Sequence, residues 1–253
     1  MVKEAFVGYA KPAVAVDSVI LRVKDADEVN NKQISRKALQ VLLVRDNKEE
    51  KWRLPGSIMR LDETPGDVLD RIVKDKAQVN DIYFEQLYTS ADNLYRDPRG
   101  RVISMIYIGV AKEISAIELK DNNSMESKWF WITKTSNDIK FTSDDNEDKT
   151  YTDLAYDHSK IISDALDRIR GKLLYTNIGF KFADRLFTVR ELERVFIAIY
   201  RKPIPSFRRI IMSKIEPTGK ISAGKAFRPA ELYKEKENTC EVDEDENSSN
   251  ESI

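Results

Sequence analysis

Histidine and cysteine are almost absent from this chain. Of 253 residues, one is histidine, His158, and one is cysteine, Cys240. A single cysteine excludes an internal disulfide framework and argues against a cysteine-rich zinc site. A single histidine leaves little room for histidine-based metal chemistry. Long apolar runs are missing too: none reaches the ~20 residues that cross a bilayer, and the N-terminus carries no secretory pattern. A cytoplasmic setting with no membrane partner is the expectation. Glycine and proline are scarce enough, at 9 and 8 residues, that most of the chain should fold, and 41% hydrophobic content supplies one large core or two ordinary ones.

Net charge is also nearly missing, at −1, but its distribution is uneven. Residues 172–236 hold 15 Lys or Arg against 6 Asp or Glu, which gives +9, whereas residues 237–253 hold 7 acidic residues and no basic one. A basic module between an acidic body and an acidic tail points to a polyanion partner for the module.

What is present is organised around LPGSIMRLDETPGDVLDRIVKDKAQV, residues 54–79. A strand end runs into a glycine turn, then a loop ending in Asp62-Glu63, then a helix with apolar positions 68, 69, 72, 73 and 77. Thr64 can cap the first amides, and Pro65 fits the first turn. The stretch resembles the Nudix box, G, five residues, E, seven residues, then R-E-U-x-E-E-x-G-U. Aligned on Glu63, the opening glycine falls on Ser57 beside Gly56, and Arg71 takes the arginine. The remaining positions depart from the pattern: Ile72 replaces the glutamate after the arginine, Asp75-Lys76 replace the E-E pair, and Gln78 replaces the late glycine.

That departure is chemical. Nudix hydrolases use carboxylates on one helix face to hold divalent metals, and positions 72, 75 and 76 are spaced to share a face. Here the face offers an apolar group, one carboxylate and one ammonium, which is a poor oxygen set for magnesium. The resemblance therefore implies the turn and helix of the box without its reaction: no catalytic residue, no metal and no cofactor. Glu63 and Arg71 are expected to join loop to helix by a salt bridge.

Around the box, residues 13–23, 38–45, 82–90 and 102–110 read as strands, and 128–132 as a short aromatic strand with its tryptophans facing one way. Residues 133–150 read as exposed and polar. Asp157 to Arg170 reads as an amphipathic helix closed by Gly171, which marks the domain boundary. His158 at its start is expected to be a satisfied polar residue. The segment RDPRGR, 96–101, contains a turn signal and three arginines able to grip phosphate or sugar oxygens. In Nudix proteins of the ADP-ribose type it borders the ligand pocket, so Arg96, Arg99 and Arg101, together with Arg60 from the box loop, are the expected effector ligands.

The basic module reads as a short helix near 183–186, then TVRELERVFIAIY with a capping box from Thr188 to Glu191, then a helix over 206–214 and two short strands. That is the winged helix-turn-helix order. Ser206, Arg208, Arg209 and Lys214 on the third helix, with Lys225 and Arg228 at the wing tip, are the expected DNA contacts. A degenerate Nudix-like domain followed by such a module, and the segment NIGFKFADRLFTVRELERVFIAIYRKPIPSFRRIIMSK, resemble the Nudix-related transcriptional regulators. These include NAD-metabolism repressors and arabinose-responsive regulators.

The resemblance implies an α+β fold: a Nudix-like α/β/α sandwich over 1–171 that binds effector, a winged helix-turn-helix over 172–236, and a disordered acidic tail over 237–253. It further implies a homodimer on a near-palindromic double-stranded operator, controlled by a pentose or an ADP-ribose-like effector. The rival readings are a magnesium-dependent Nudix hydrolase of ADP-ribose or another nucleoside diphosphate derivative, using a displaced carboxylate set, and a non-enzymatic interaction adaptor.

Overall fold

The structure, a computed structural model, describes residues 11–26, 36–77, 82–112, 125–136, 138–145, 149–222 and 229–236. Strand β1 (Ala13–Asp25) runs through the middle of the main sheet and is covered on both faces, which explains why it reads as an apolar run. It pairs parallel with β5 (Val102–Val110) and antiparallel with β2 (Lys37–Asp46). Near its start it also pairs with β3 (Gly56–Ile58). With β4 (Tyr83–Ser90), β6 (Met125–Lys134), β7 (Ile139–Ser143) and β8 (Thr150–Tyr151), the order is β4-β5-β1-β2-β6-β7-β8.

Helices cover the two faces. On one, α1 (Pro65–Ile72) sets Val68, Leu69 and Ile72 against Val16 of β1. On the other, α2 (His158–Lys172) buries Ile161, Ile162, Ala165, Leu166 and Ile169 beneath Val19, Leu21 and Val23. This is the expected α/β/α sandwich. The start of α1 is built as its sequence dictates: the Thr64 side chain accepts from the Asp67 amide, the Asp67 carboxylate accepts from the Thr64 amide, and Pro65 opens the helix.

The second unit is α3 (Ile178–Lys181), α4 (Val189–Tyr200), α5 (Phe207–Ile211) and the antiparallel pair β9 (Ile215–Ile221) and β10 (Glu231–Glu235). Phe187 adds one further rung by exchanging two backbone hydrogen bonds with Tyr233. The Thr188–Glu191 capping box is present in both directions. Gly179 of α3 is required by packing, because a Cβ there would lie 2.3 Å from the Phe196 ring of α4.

Five expectations are corrected. Residues 133–150 are not simply exposed: they contain β7, whose Phe141 is fully buried, opposite Ile132 of β6 and Tyr151 of β8. Gly171 lies inside α2, whose last residue is Lys172 and whose cap is Leu173 in right-handed conformation, so it closes nothing. The first helix of the basic module is at 178–181 rather than 183–186, where Ala183 instead turns into the core. The regular part of α5 stops at Ile211, because the Lys214 amide bonds Ile211 and tightens the turn into β9. Finally, α1 ends at Ile72 and continues as a π-helical turn over Val73–Ala77, so Ile72 is buried and Asp75 exposed instead of sharing a face.

One hydrophobic cluster extends from Val19 in the sheet, through α2, to Phe196 and Tyr233 of the winged unit. Polar clasps run beside it. Arg194 of α4 bonds Asp25 at the end of β1, Arg201 donates to the Ile132 carbonyl of β6, and Arg170 of α2 donates to the Ile199 carbonyl of α4. Arg201 holds the left-handed conformation (φ 65°) that ends α4, a place where glycine is usual.

Candidate functional site

A cavity of about 240 Å³ opens where β1, β3, the 96–101 loop and the start of α2 meet. Its floor is Asp17, a buried carboxylate on central β1. Ser104 of β5 donates to Asp17 Oδ2 at 2.5 Å, and Arg96 Nη2 lies 3.5 Å from the same oxygen. Arg96 Nη2 also donates to Asp157 Oδ1 at 2.9 Å. The Arg96 side chain is 5% exposed, and its Nη1 is buried with no hydrogen-bond partner. Arg96 is thus a buried cation whose Nη2 is shared between the Asp17 and Asp157 carboxylates at the cavity wall.

Gly56 makes the cavity possible, since a Cβ there would lie 1.9 Å from Asp17 Oδ1. His158 closes the rear: its Nδ1 accepts from the Leu54 amide at 2.9 Å, and burial pushes its pKa below the ordinary value of 6.5. It is neutral, with the remaining proton on Nε2. Tyr156, in left-handed conformation (φ 58°), places its ring between His158 and Arg99. Arg99 stands at the rim on Asp97, with Nη2 2.7 Å from Oδ2, and this hydrogen bonding holds the Asp97 carboxyl below the usual carboxylate range.

The four arginines expected as effector ligands therefore separate. Arg96 and Arg99 line the cavity. Arg101 turns away and donates to the Ala91 and Asn93 carbonyls. Arg60 is largely exposed and its amide bonds Glu63. Asp17 was not anticipated from sequence. Its signal was available, a lone Asp-Ser pair inside an otherwise apolar strand, because a carboxylate in a buried central strand needs partners there.

The box residues act mechanically. Arg71 Nε and Nη2 grip Glu63 Oε1 and Oε2 at 2.8 and 2.7 Å, while Nη1 and a second Nη2 bond hold Ser57 Oγ and the Ile58 carbonyl. Hydrogen bonds from Arg71 and from the Arg60 amide lower the Glu63 pKa. Both Glu63 oxygens are thus committed to Arg71. Ile72 is in the core and Asp75 is exposed on the π turn. Among the described residues, no group of three His, Cys, Asp or Glu is placed to hold a metal. The donor set does not fit the divalent cations of the hydrolases.

On the winged unit, Arg208 and Arg209 project to solvent from α5, while Phe207 and Ile211 bury its inner side. Ser206 does not cap α5; it adopts a left-handed conformation (φ 56°) and its side chain makes no cap bond. Lys214 Nζ is drawn inward to the Leu174 and Thr176 carbonyls, and burial lowers its pKa. Lys225 and Arg228 lie outside the described residues, as do Cys240 and the acidic segment 237–253.

Residues 179–234 match the family of NrtR DNA-binding winged helix domains. The chain is 28% identical over 236 residues to the ADPR responsive transcriptional repressor NtrR of Acinetobacter baylyi, covering 89% of this chain and 83% of that protein. It superposes on a MutT/nudix family protein from Enterococcus faecalis with a TM-score of 0.69 at 25% identity, covering 90% of each chain. It also superposes on Shewanella oneidensis NrtR complexed with a 27mer DNA with a TM-score of 0.64 at 26% identity, covering 88% of this chain and 93% of that one. The sandwich is thus Nudix-like with a box that lacks its metal-binding carboxylates, residues 179–234 match the NrtR winged helix domain, and over most of its length the chain is similar to Nudix-related NrtR regulators.

Proposed function

We propose that this protein is a ligand-responsive transcriptional regulator of the cytoplasm, in which the cavity at Asp17 and Arg96 takes the effector and α5 reads duplex DNA. The observation that carries the reading is the cavity lined by Asp17, Arg96 and Arg99, whose wall includes the start of α2. The opposite end of that helix braces α4 through Arg170. Effector chemistry and DNA recognition are thus joined by a single rigid helix.

The cavity has the chemistry for hydroxyl groups: Asp17 accepts, and Arg96 and Arg99 donate in planar forks. Its volume of about 240 Å³ is below the roughly 300–1,000 Å³ of sites that enclose larger ligands. A free pentose, or the terminal ribose of an ADP-ribose-type molecule with its phosphates outside at Arg99, suits that size. The Acinetobacter relative, named for its response to ADPR, supports the second choice. Two copies would set two α5 helices in successive major grooves, so the operator should be near-palindromic. Arg208 and Arg209 are the base-reading candidates, with Lys225 and Arg228 as phosphate contacts from the wing.

The test is a fluorescence anisotropy titration against DNA upstream of the protein's own gene and its neighbours, with and without ADP-ribose and free pentoses. A specific palindromic site whose affinity changes with one of these ligands is expected. The absence of any specific site at moderate salt would sink the reading.

A further inference from the structure

The winged unit carries a second concavity, away from α5. It has a volume of about 560 Å³ and lies between α3 and β10. Five cations line it, Lys112, Lys181, Arg185, Lys234 and Lys236, against the two carboxylates Asp184 and Glu235. Arg185 is exposed at its edge, and Lys181 and Glu235 approach within 3.5 Å across it. The groove is basic, with Phe180, Ala183 and Phe187 also in its wall, and neither the proposed effector cavity nor the exposed face of α5 includes it.

We propose that this groove holds the chain's own acidic segment, residues 237–253. Two features select that occupant. The segment leaves from the groove itself, because Lys234, Glu235 and Lys236 are lining residues and Glu237 follows directly. Its charge is complementary, with Glu237, Glu241, Asp243, Glu244, Asp245, Glu246 and Glu251 and no cation. A tethered segment meets its groove at an effective concentration in the millimolar range, so exposed ion pairs, each worth up to about 1 kcal/mol, need only total about 4 kcal/mol to hold it half the time. Such an attachment is governed by salt.

Cys240 is the chain's one cysteine and lies in the segment, so a nitroxide placed there reports its mobility in the full chain. At low salt an immobilised spectral component is expected. Raising salt to about 1 M, where the screening length is near 3 Å, should remove it. The pair Lys181→Glu and Arg185→Glu should remove it at low salt. So should Glu241→Gln, Asp243→Asn, Glu244→Gln, Asp245→Asn and Glu246→Gln together.

A label freely mobile at low salt in the native chain overturns the proposal. So does an immobilised component that survives the groove variants and disappears with Arg208→Glu and Arg209→Glu, which would put the segment on α5. A mobile label combined with weakened DNA binding in Arg185→Glu would assign the groove to duplex phosphates instead, and would also overturn it. None of these outcomes depends on the identity of the effector.

Discussion

At the scale of single residues, the cavity depends on a glycine and an arginine. A Cβ at Gly56 would collide with Asp17 Oδ1, an atom not free to retreat while Ser104 and Arg96 hold its carboxylate. Gly56→Ala should abolish the effector's influence on DNA affinity while leaving effector-free DNA binding in place, as read by anisotropy, and overpacking should cost roughly 1–3 kcal/mol of stability. Arg96→Met leaves Asp17 and Asp157 without their shared cation and should destabilise the fold by about 3 kcal/mol in urea unfolding.

His158 makes a cleaner pH prediction because no second histidine titrates with it. Its folded pKa lies below 6.5, so between the two values the unfolded chain binds the extra proton. Stability should be full above about pH 6.5 and fall as pH drops through that value towards the lower folded pKa. His158→Gln should lose this slope. A native chain with flat stability between about pH 7 and 5 would contradict the assignment.

At the scale of elements, the Thr188 cap of α4 is reciprocal with Glu191, and Thr188→Ala should cost about 1 kcal/mol. A lowered urea midpoint with an unchanged slope would show it. This cap, the Thr64 cap of α1 and strands β1, β2, β4 and β5 were legible in the sequence because each follows from local rules: a short polar acceptor, a proline at the first turn, an apolar run.

What escaped depends on distant partners. In IKFTS the apolar signal is Ile139 and Phe141 alone, and Phe141 is buried because β6 and β8 flank it on both sides. Gly171 resembles a cap locally, yet α2 continues through it to Lys172. Lys214 reads as a phosphate contact until Leu174 and Thr176 present their carbonyls. The arginine set divides for the same reason: spacing put Arg96, Arg99 and Arg101 in one loop, but only the fold decides which of them faces Asp17.

At the scale of the whole molecule, the proposed sensor and reader share β1 and α2. Asp17 and Asp25 sit on one strand about 26 Å apart at ~3.3 Å per residue, the first in the cavity and the second bonded to Arg194 of α4. Replacing both Arg208 and Arg209 by alanine should weaken binding to the specific site by roughly 1–3 kcal/mol for each arginine that reads a base. Effector affinity without DNA should be unchanged, as isothermal titration would report. By reciprocity, the factor by which effector changes DNA affinity must equal the factor by which DNA changes effector affinity. Unequal factors would exclude a closed two-site scheme.

The hydrophobic cluster that runs without interruption from Val19 to Tyr233 has a calorimetric consequence. Two halves joined by one apolar interior cannot melt independently. Heating should therefore give a single endotherm whose calorimetric and van't Hoff enthalpies agree. A saturating sugar at one end of the molecule should then raise the melting temperature of the DNA-reading end by the same amount as its own.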